Sequence, residues 1–371
     1  MRKIIILAAA VLTMAFSSIA STAQTVNNFT IKRGTNISHW LSQSNERGEA
    51  RRQHIKEEDF ARLEKLGFDF VRLPIDEEQF WDEKGNKLPE AWTLLTQALN
   101  WAEKHHLRTI VDLHIIRSHN FNAVNEGKTN VLFTSDEAQQ DFINMWYKLS
   151  DALKAYSVDS VAYEIMNEPV ADDHEQWNKL IFKAHKALRE REPQRTLVIG
   201  SNKWQSTWTF KYLRVPEGDK NIILSFHYYE PQALTHYGAH WTPVGSYRGK
   251  LTYPGQLISQ ADYDAAPDNL KPILKQYTSV WNRDRIAQDF RDAIDVAKKY
   301  GLQLYCGEWG VYEPVDRDLA YKWTRDMLWV FNKYNIAWAS WCYDNDFGFW
   351  DQKSQSFKDR PLVDLLTGKK K

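Results

Sequence analysis

The chain has 371 residues, and its 48 Lys and Arg residues balance 48 Asp and Glu residues, so the formal net charge is zero. A balanced charge gives no basis for nucleic-acid binding, and we expect no nucleic-acid partner. The two cysteines, Cys306 and Cys342, cannot form a disulfide framework, and we expect both to be packed free thiols.

The chain begins with a predicted signal peptide over residues 1–23. Arg2 and Lys3 precede an apolar run over residues 4–16, and small residues complete the segment. This order is typical of a cleavable secretory signal, so we predict an exported protein that is secreted or periplasmic. The apolar run is too short to span a bilayer, and we expect no membrane span. Residues 24–371 are expected to form one domain and to act as a monomer.

Eight short runs after the signal have the pattern of buried strands. Each is rich in β-branched or aromatic residues and is bounded by turn residues. In chain order they cover residues 29–37, 68–75, 108–115, 160–166, 196–200, 222–228, 303–307 and 337–341. Eight is the number of strands in a closed (β/α)8 barrel.

Amphipathic helical periodicity fills most of the gaps between these strands. The predicted helices cover residues 57–66, 92–105, 136–156, 175–189, 285–300, 319–334 and 362–366. Residues 201–215, after the fifth strand, are predicted to be irregular. Strands that alternate with helices indicate parallel strands with right-handed crossovers. The predicted fold class is therefore α/β, a (β/α)8 TIM barrel in a single domain with enlarged loops.

One long loop, over residues 230–279, follows the sixth predicted strand. It holds Tyr237, Trp241, Tyr247 and Tyr253 together with several Pro and Gly residues. So long a loop in a compact domain is usually functional, and we expect it to form a wall of the ligand cleft.

The carboxyl ends of the predicted strands carry a set of polar and aromatic side chains. The set consists of Arg72, His114, Asn167, Glu168, His227, Tyr229, Glu308 and Trp341. In a barrel these ends meet on one rim, where the active sites of this fold lie. Glu168 and Glu308 are two carboxylates at strand ends, which suggests a matched pair. Glu164 shares the inward direction of Glu168 but lies deeper, so we expect it to pair with a basic residue in the barrel core.

The sequence around this set resembles glycoside hydrolase family 5, the cellulase-type clan of retaining β-glycosidases. The matching segments, in the order of the family, are Arg72-Leu73-Pro74, Asp112-Leu113-His114, Asn167-Glu168-Pro169, His227-Tyr228-Tyr229, Glu308-Trp309-Gly310 and Trp341. They extend over most of the chain that follows the predicted signal peptide.

The resemblance implies a role for each residue of the set. Glu168 is expected to be the acid/base, Glu308 the nucleophile and Asn167 a hydrogen-bond donor to the sugar 2-hydroxyl. The other implied roles are tuning of the two carboxyls by His227 and Tyr229, support of the nucleophile by Arg72, and lining of the sugar site by His114 and Trp341.

The chemistry of retaining hydrolysis accounts for such a pair. One carboxyl must be protonated to assist the leaving oxygen, and another must be ionised to attack the anomeric carbon, at a separation of about 5 to 5.5 Å. Arg72 beside Glu308 would favour its ionised form. Glu168 needs a raised pKa, which an apolar pocket and the negative nucleophile would supply. No cofactor is expected.

A metal centre is the main alternative use of histidines at barrel ends. His39, His114, His119 and His227 show no His-x-His or His-x-x-x-His spacing. A metal hydrolase is therefore a poor fit, and we expect no metal.

Aromatic side chains are abundant, with 16 tryptophans. About half are expected to fill the core, and those in loops or at strand ends are candidates for stacking on sugar rings. These candidates are Trp208, Trp241, Trp341 and Trp350.

The sequence thus predicts an exported retaining β-glycoside hydrolase, an endo-β-1,4-glucanase (cellulase), that acts on a β-linked oligo- or polysaccharide. The alternatives on the same scaffold are a β-mannanase, a xyloglucanase and a mixed-linkage or exo-acting glucanase, because the choice among them depends on loop geometry. A non-catalytic carbohydrate-binding barrel is the alternative from another class. The presence of both Glu168 and Glu308 speaks against it, since binding alone needs no such pair.

Overall fold

The structure is a computed structural model that describes residues 26–123 and 127–368. The predicted signal peptide, residues 1–23, lies outside these residues, and its cleavage stays a prediction. Within the described part of the chain, no helix is long and apolar enough to cross a membrane.

Eight parallel strands close into one barrel. They are β1 (Arg33–Asn36), β2 (Phe70–Asp76), β3 (Arg108–Ile115), β4 (Val161–Glu164), β5 (Leu197–Gly200), β6 (Ile222–His227), β7 (Gln303–Glu308) and β8 (Ala337–Ser340). Each strand pairs with its neighbours in this order, and β8 pairs with β1 to complete the circle. All eight predicted strands are therefore barrel strands, and the predicted TIM barrel is confirmed.

Helices surround the barrel. The principal ones are α1 (Glu57–Leu66), α2 (Pro89–Lys104), α3 (Asp136–Leu153), α4 (His174–Arg191), α5 (Arg283–Asp289), α6 (Arg291–Tyr300), α7 (Arg317–Tyr334) and α8 (Arg360–Thr367). Shorter helices cover Gly48–His54, Glu77–Phe80, Gln232–Thr235, Gln260–Asp264 and Lys271–Leu274, and 3-10 turns cover Val131–Phe133, Thr207–Tyr212, Val244–Ser246 and Lys275–Thr278. Two short antiparallel pairs join Gly255–Gln256 to Val280–Trp281 and Trp350–Asp351 to Ser356–Phe357.

Local sequence signals fix the ends of several helices. The side chain of Asp173 accepts a hydrogen bond from the Glu175 N–H at the start of α4, and Gln176 completes a capping box. Helix α1 ends at Gly67, whose φ of 83° is the left-handed conformation that glycine adopts without a Cβ clash. Such caps explain why the predicted helix bounds lie close to the observed ones.

The largest differences from the structure concern two predicted elements. The first strand is limited to Arg33–Asn36, because Phe29 and Ile31 turn into the bottom of the barrel instead of pairing. The predicted helix over residues 285–300 is interrupted at Phe290, whose ring packs on Phe226 at the inner side of the helix layer.

The barrel interior has an apolar half and a polar half. The amino-terminal half is filled by Phe29, Ile31, Phe70, Ile110, Ala162, Val198, Ile223, Tyr305, Ala337 and Ala339. Above this plug lie the buried side chains of Arg72, Asp112 and Glu164. The plug closes one end of the barrel, so the polar residues can reach solvent only through the carboxyl-terminal rim.

The long loop after β6 divides into two parts. Its first part contacts the rim, where Trp241 packs against Tyr312 and Phe347 from the loops after β7 and β8. Its second part covers the outer helices, where the Tyr253 hydroxyl donates to Asp326 of α7 at 2.8 Å. Only the first part is therefore placed to border a cleft at the rim.

Candidate active site

The structure brings the eight predicted site residues to one rim. Arg72 lies in β2, His114 in β3, His227 ends β6 and Glu308 ends β7. The others follow strand ends: Asn167 and Glu168 after β4, Tyr229 after β6 and Trp341 after β8. Hydrogen bonds, ion pairs and ring contacts connect all of them, directly or through Asp112.

The carboxylate of Glu308 is held by two partners. Oε1 accepts a hydrogen bond from Arg72 Nη1 at 2.7 Å, and Oε2 accepts one from the Tyr229 hydroxyl at 3.0 Å. The strand register helps, because pairing shifts by one residue between Phe226 and His227 and brings His227 opposite Glu308. Such shifts at strand ends re-aim side chains.

Arg72 is the centre of a buried network. Its Nε and Nη2 donate to the two oxygens of Glu164 at 2.7 and 3.1 Å, and Nη2 also donates to Asn167 Oδ1 at 2.8 Å. Nη1 donates to Asn36 Oδ1 at 3.0 Å in addition to Glu308. Glu164 thus has the basic partner that its inward position predicted. The planar guanidinium fixes the relative positions of four side chains that come from β1, from β4 and its end, and from β7.

Glu168 lies across the rim from this network. Its Oε1 is 2.8 Å from His227 Nδ1, and the same nitrogen is 3.6 Å from Glu308 Oε2. One carboxylate oxygen of Glu168 lies within 4.8 Å of one oxygen of Glu308. Oxygens this close fit the spacing of about 5 to 5.5 Å between the carboxyl groups of retaining pairs and are too close for the spacing of about 6.5 to 9.5 Å of inverting pairs.

The two carboxyls differ in their electrostatic surroundings. Burial raises the pKa of Glu168 well above its usual range, and the negative charge of Glu308 raises it further. Burial also raises the pKa of Glu308, but Arg72 and the Tyr229 hydroxyl oppose this rise. Glu308 is therefore the first of the pair to ionise, and Glu168 keeps its proton to higher pH.

The neighbouring histidines are neutral at ordinary pH. Burial lowers the pKa of His227 well below its usual range, and the positive charge of Arg72 lowers it further. Burial lowers the pKa of His114 to about 4. Both rings can therefore exchange hydrogen bonds at the rim without adding a positive charge beside Glu168.

A flat surface borders the carboxyl pair on the β3 and β8 side. The ring of His114 stacks parallel to Trp341, with ring centroids 5.7 Å apart, and its Nδ1 is 2.7 Å from Asp112 Oδ2. Burial raises the pKa of Asp112 to about 7, although Arg72, 3.0 Å from Asp112 Oδ2, opposes the rise. Asn167 Nδ2 is buried and has no hydrogen-bond partner among the described residues. An aromatic face and a free amide donor suit a polyhydroxylated ligand.

Three side chains at the rim have the composition of a metal site. One ligand atom from each of Glu168, His227 and Glu308 lies within 4.8 Å of the others. However, Arg72 donates to Glu308 at 2.7 Å, and its fixed positive charge would repel a divalent cation. The same atoms are better explained as a carboxyl pair with a bridging imidazole.

Three residues at the rim belong to the network but not to the predicted set. Asn36 donates from Nδ2 to the carbonyl oxygens of Gly307 and Ser340 and so joins three strand ends. Asp112 contacts both Arg72 and His114, and only its place in the segment Asp112-Leu113-His114 indicated it. Gln205 accepts a hydrogen bond from the Glu168 N–H, and no periodic signal exists in its irregular segment.

The predicted aromatic platforms have different outcomes. Trp241 and Trp208 are 43% and 55% exposed, as a stacking surface requires. The prediction for Trp350 is wrong, because Arg62 covers one face of its ring at 3.5 Å and Phe357 packs against the ring, so it is not available for stacking on a sugar. Both cysteines are buried and free, as expected.

Replacing Arg72 with methionine is expected to destabilise the fold by about 3 to 5 kcal/mol. The substitution leaves Glu164, Asp112 and Glu308 without their buried cation. Urea unfolding should show the loss, whereas Arg117→Met, which breaks a half-exposed pair with Glu77, should cost less than about 1 kcal/mol. Equal free energies of unfolding for the two variants would contradict the expected contribution of the buried Arg72 network to stability.

The chain is similar to known carbohydrate-active proteins. The family model described as Cellulase (glycosyl hydrolase family 5) matches residues 26–347. Endoglucanase C of Acetivibrio thermocellus is 30% identical over 349 residues, which cover 91% of this chain and 98% of that protein. A structure of Thermotoga maritima Cel5A with cellobiose aligns with a TM-score of 0.71 at 25% identity, covering 91% of this chain and 97% of that one. A structure of Thermotoga maritima Cel5A with mannotriose gives a TM-score of 0.72 at 25% identity and coverage of 91% and 98%.

Proposed function

The chain belongs to the cellulase family, glycosyl hydrolase family 5, and from that membership we propose that it is a retaining endo-β-1,4-glucanase with Glu168 as acid/base and Glu308 as nucleophile. It is a glycoside hydrolase, as its family and relatives establish. The observation that carries the assignment of roles is a pair of carboxyls with oxygens within 4.8 Å of each other, one beside Arg72 and the other beside neutral His227.

The first step forms a covalent glycosyl enzyme. The ionised Oε of Glu308 attacks the anomeric carbon while the bond from this carbon to the glycosidic oxygen breaks, and Glu168 gives its proton to the departing oxygen. Arg72 and Tyr229 hold Glu308 by its two oxygens, so the attacking group is already oriented.

The second step releases the sugar. Formation of the ester removes the negative charge of Glu308, which lowers the pKa of the now ionised Glu168 and favours it as a base. Glu168 takes a proton from water, the water oxygen attacks the anomeric carbon, and the bond to Glu308 breaks. Two inversions at the same carbon give net retention.

The remaining rim residues are proposed to bind the sugar at the cleaved bond. Asn167 Nδ2, buried and without a protein partner, would donate to the 2-hydroxyl, while its Oδ1 is fixed by Arg72. His114 and Trp341 would offer the flat face against which this sugar lies. His227, whose Nδ1 is 2.8 Å from Glu168 Oε1, would hold the Glu168 carboxyl in the same position in both steps.

The proposed substrate is a β-1,4-glucan, which agrees with the name of the endoglucanase relative and with cellobiose in Thermotoga maritima Cel5A. A β-mannan is the second candidate, because Thermotoga maritima Cel5A has also been solved with mannotriose. Xyloglucanase and mixed-linkage or exo-acting glucanase remain alternatives. Export through residues 1–23 and a monomeric state are proposed from the sequence alone.

The test is a hydrolysis panel that records product lengths. Carboxymethyl cellulose, barley glucan, xyloglucan, glucomannan and mannan are compared at equal mass concentration. A β-1,4-glucanase should have its highest kcat/KM on carboxymethyl cellulose, and internal cleavage should release a mixture of short oligomers early in the reaction. Highest activity on mannan would show that the substrate is a β-mannan and not a β-1,4-glucan. Release of a single small product from the start would show exo action instead of endo action.

A further inference from the structure

Side chains from a neighbouring strand end anchor the backbone that follows β4. The Glu168 N–H donates to Gln205 Oε1 at 2.9 Å. The Ala171 N–H donates to Asn202 Oδ1 at 2.8 Å, and the Ala171 carbonyl accepts from Asn202 Nδ2 at 3.0 Å. Both anchoring residues belong to the turn Asn202–Gln205, directly after β5. The segment that carries Glu168 is therefore fixed by residues that do not line the catalytic pair.

Gln205 connects this segment to the buried network. Its side chain is fully buried, and Nε2 donates to Glu164 Oε1 at 3.2 Å. Glu164 in turn holds Arg72, which holds Glu308. The Gln205 amide thus links the main chain of Glu168 to Glu164, and through Glu164 to Arg72, which orients the nucleophile. A backbone N–H can only donate, so the bond from Glu168 fixes which atom of the amide is Oε1 and directs Nε2 toward Glu164.

The hydrogen bonds hold a backbone conformation that residues with a Cβ seldom adopt. Glu168 has a φ of 45°, and Lys203, Trp204 and Gln205 have φ values of 55°, 59° and 53°. Left-handed conformations of this kind persist only where surrounding contacts over-determine them, and they concentrate at functional sites. The left-handed turn after β5 presents Gln205 to the equally left-handed Glu168.

Gly200, the last residue of β5, makes room for this arrangement. A Cβ added at Gly200 would lie 2.3 Å from Cγ and from Nε2 of Gln205, which is closer than any ordinary contact. The Gln205 amide therefore occupies the space that a side chain at position 200 would need. Two separate features of the β5 end, the turn and the glycine, serve the same contact.

We infer that Gln205 is a positioning residue for the acid/base: it holds the Glu168 main chain in the left-handed conformation that directs the carboxyl toward His227 and Glu308. The inference rests on the proposed function, because it concerns how Glu168 reaches the leaving oxygen. Without the acceptor of Gln205, the Glu168 N–H is left unsatisfied and the φ of Glu168 relaxes toward negative values. Proton transfer requires hydrogen-bond distance, so such a shift impairs the acid step before any other.

The test uses aryl β-cellobiosides whose phenol leaving groups rise in pKa from 2,4-dinitrophenol to phenol. For the Gln205→Leu variant we expect kcat/KM to fall by about 10²-fold with the phenyl substrate and by less than about threefold with the dinitrophenyl substrate, which leaves without a proton. The plot of log kcat/KM against leaving-group pKa should therefore be steeper for the variant than for the wild type. General damage to the fold would lower kcat/KM by the same factor for all substrates of the series.

Gln79→Leu is the matched control, because Gln79 is also a buried glutamine but bonds the Ser44 carbonyl oxygen instead of Glu168 or Glu164. It should leave the slope unchanged. If Gln205→Leu does not fold, Gly200→Ala displaces the Gln205 amide instead and should give the same steeper slope. A uniform loss across leaving groups, or equal slopes for all variants, would overturn the role of Gln205. A wild-type enzyme inert on the whole series would instead overturn the proposed function.

Discussion

Replacing Glu308 with alanine is expected to lower kcat on cellotetraose by at least about 10⁴-fold, because no other group can attack the anomeric carbon from that side. The fold should persist, since Arg72 keeps Glu164, Asn167 and Asn36 as partners. The measurement is initial-rate release of reducing ends, with urea unfolding as the check on structure.

Two further measurements make this result specific. Glu192→Gln is the matched control. Glu192 is a buried glutamate that bonds Tyr163 and Arg195, and it precedes β5 at the end of the barrel opposite to the rim. Its replacement should leave kcat within about twofold of the wild-type value. With 2,4-dinitrophenyl β-cellobioside and azide, the space left in Glu308→Ala should admit the azide ion, which displaces dinitrophenolate once and gives the α-glycosyl azide. Wild-type turnover by the alanine variant would remove Glu308 from the nucleophile role.

Replacing Glu168 with alanine is expected to slow the two chemical steps to different extents, depending on the substrate. The first step on a natural glucan needs a proton for the leaving oxygen, so kcat/KM on cellotetraose should fall by about 10² to 10⁴-fold. With 2,4-dinitrophenyl β-cellobioside the first step needs no proton, and kcat/KM should stay near the wild-type value. The second step then limits kcat, because water has lost its base.

Azide and pH identify this defect. Azide needs no base, so it should accelerate turnover of Glu168→Ala on the dinitrophenyl substrate and give the β-glycosyl azide, the opposite anomer to that from Glu308→Ala. The wild-type kcat/KM should fall at high pH as Glu168, whose pKa is raised by burial and by Glu308, loses its proton. That alkaline limb should be absent from Glu168→Ala on the dinitrophenyl substrate. A loss that is equal for both substrates and insensitive to azide would refute the acid/base role.

Much of the fold follows from the sequence because its signals are local and repeated. Alternation of apolar runs with amphipathic helices defined all eight strands, and β3 has the predicted bounds. The predicted rim residues come together because parallel strands place their carboxyl ends on one side, whatever the loops do. Glu164 could be assigned to the core by strand parity alone, and Arg72 is the partner that it requires.

The parts that sequence could not predict depend on contacts between distant residues. Gln205 lies in a left-handed turn, where neither strand nor helical period indicates which side chain points inward. Trp350 was a candidate because it lies in the predicted loop after the last strand, but Arg62 and Phe357 enclose its ring. The first strand appeared longer because Phe29 and Ile31 have strand-like composition, although they fill the barrel instead.

The stereochemistry of the first product tests the central claim most directly. Proton NMR of cellotetraose hydrolysis, recorded within the first minutes and before mutarotation, distinguishes the two anomers at the new reducing end. A carboxyl pair within 4.8 Å, with Glu308 as nucleophile, predicts that the β-anomer appears first and that the α-anomer grows only at the rate of mutarotation. Initial appearance of the α-anomer would show single displacement by water and would contradict the two-step mechanism.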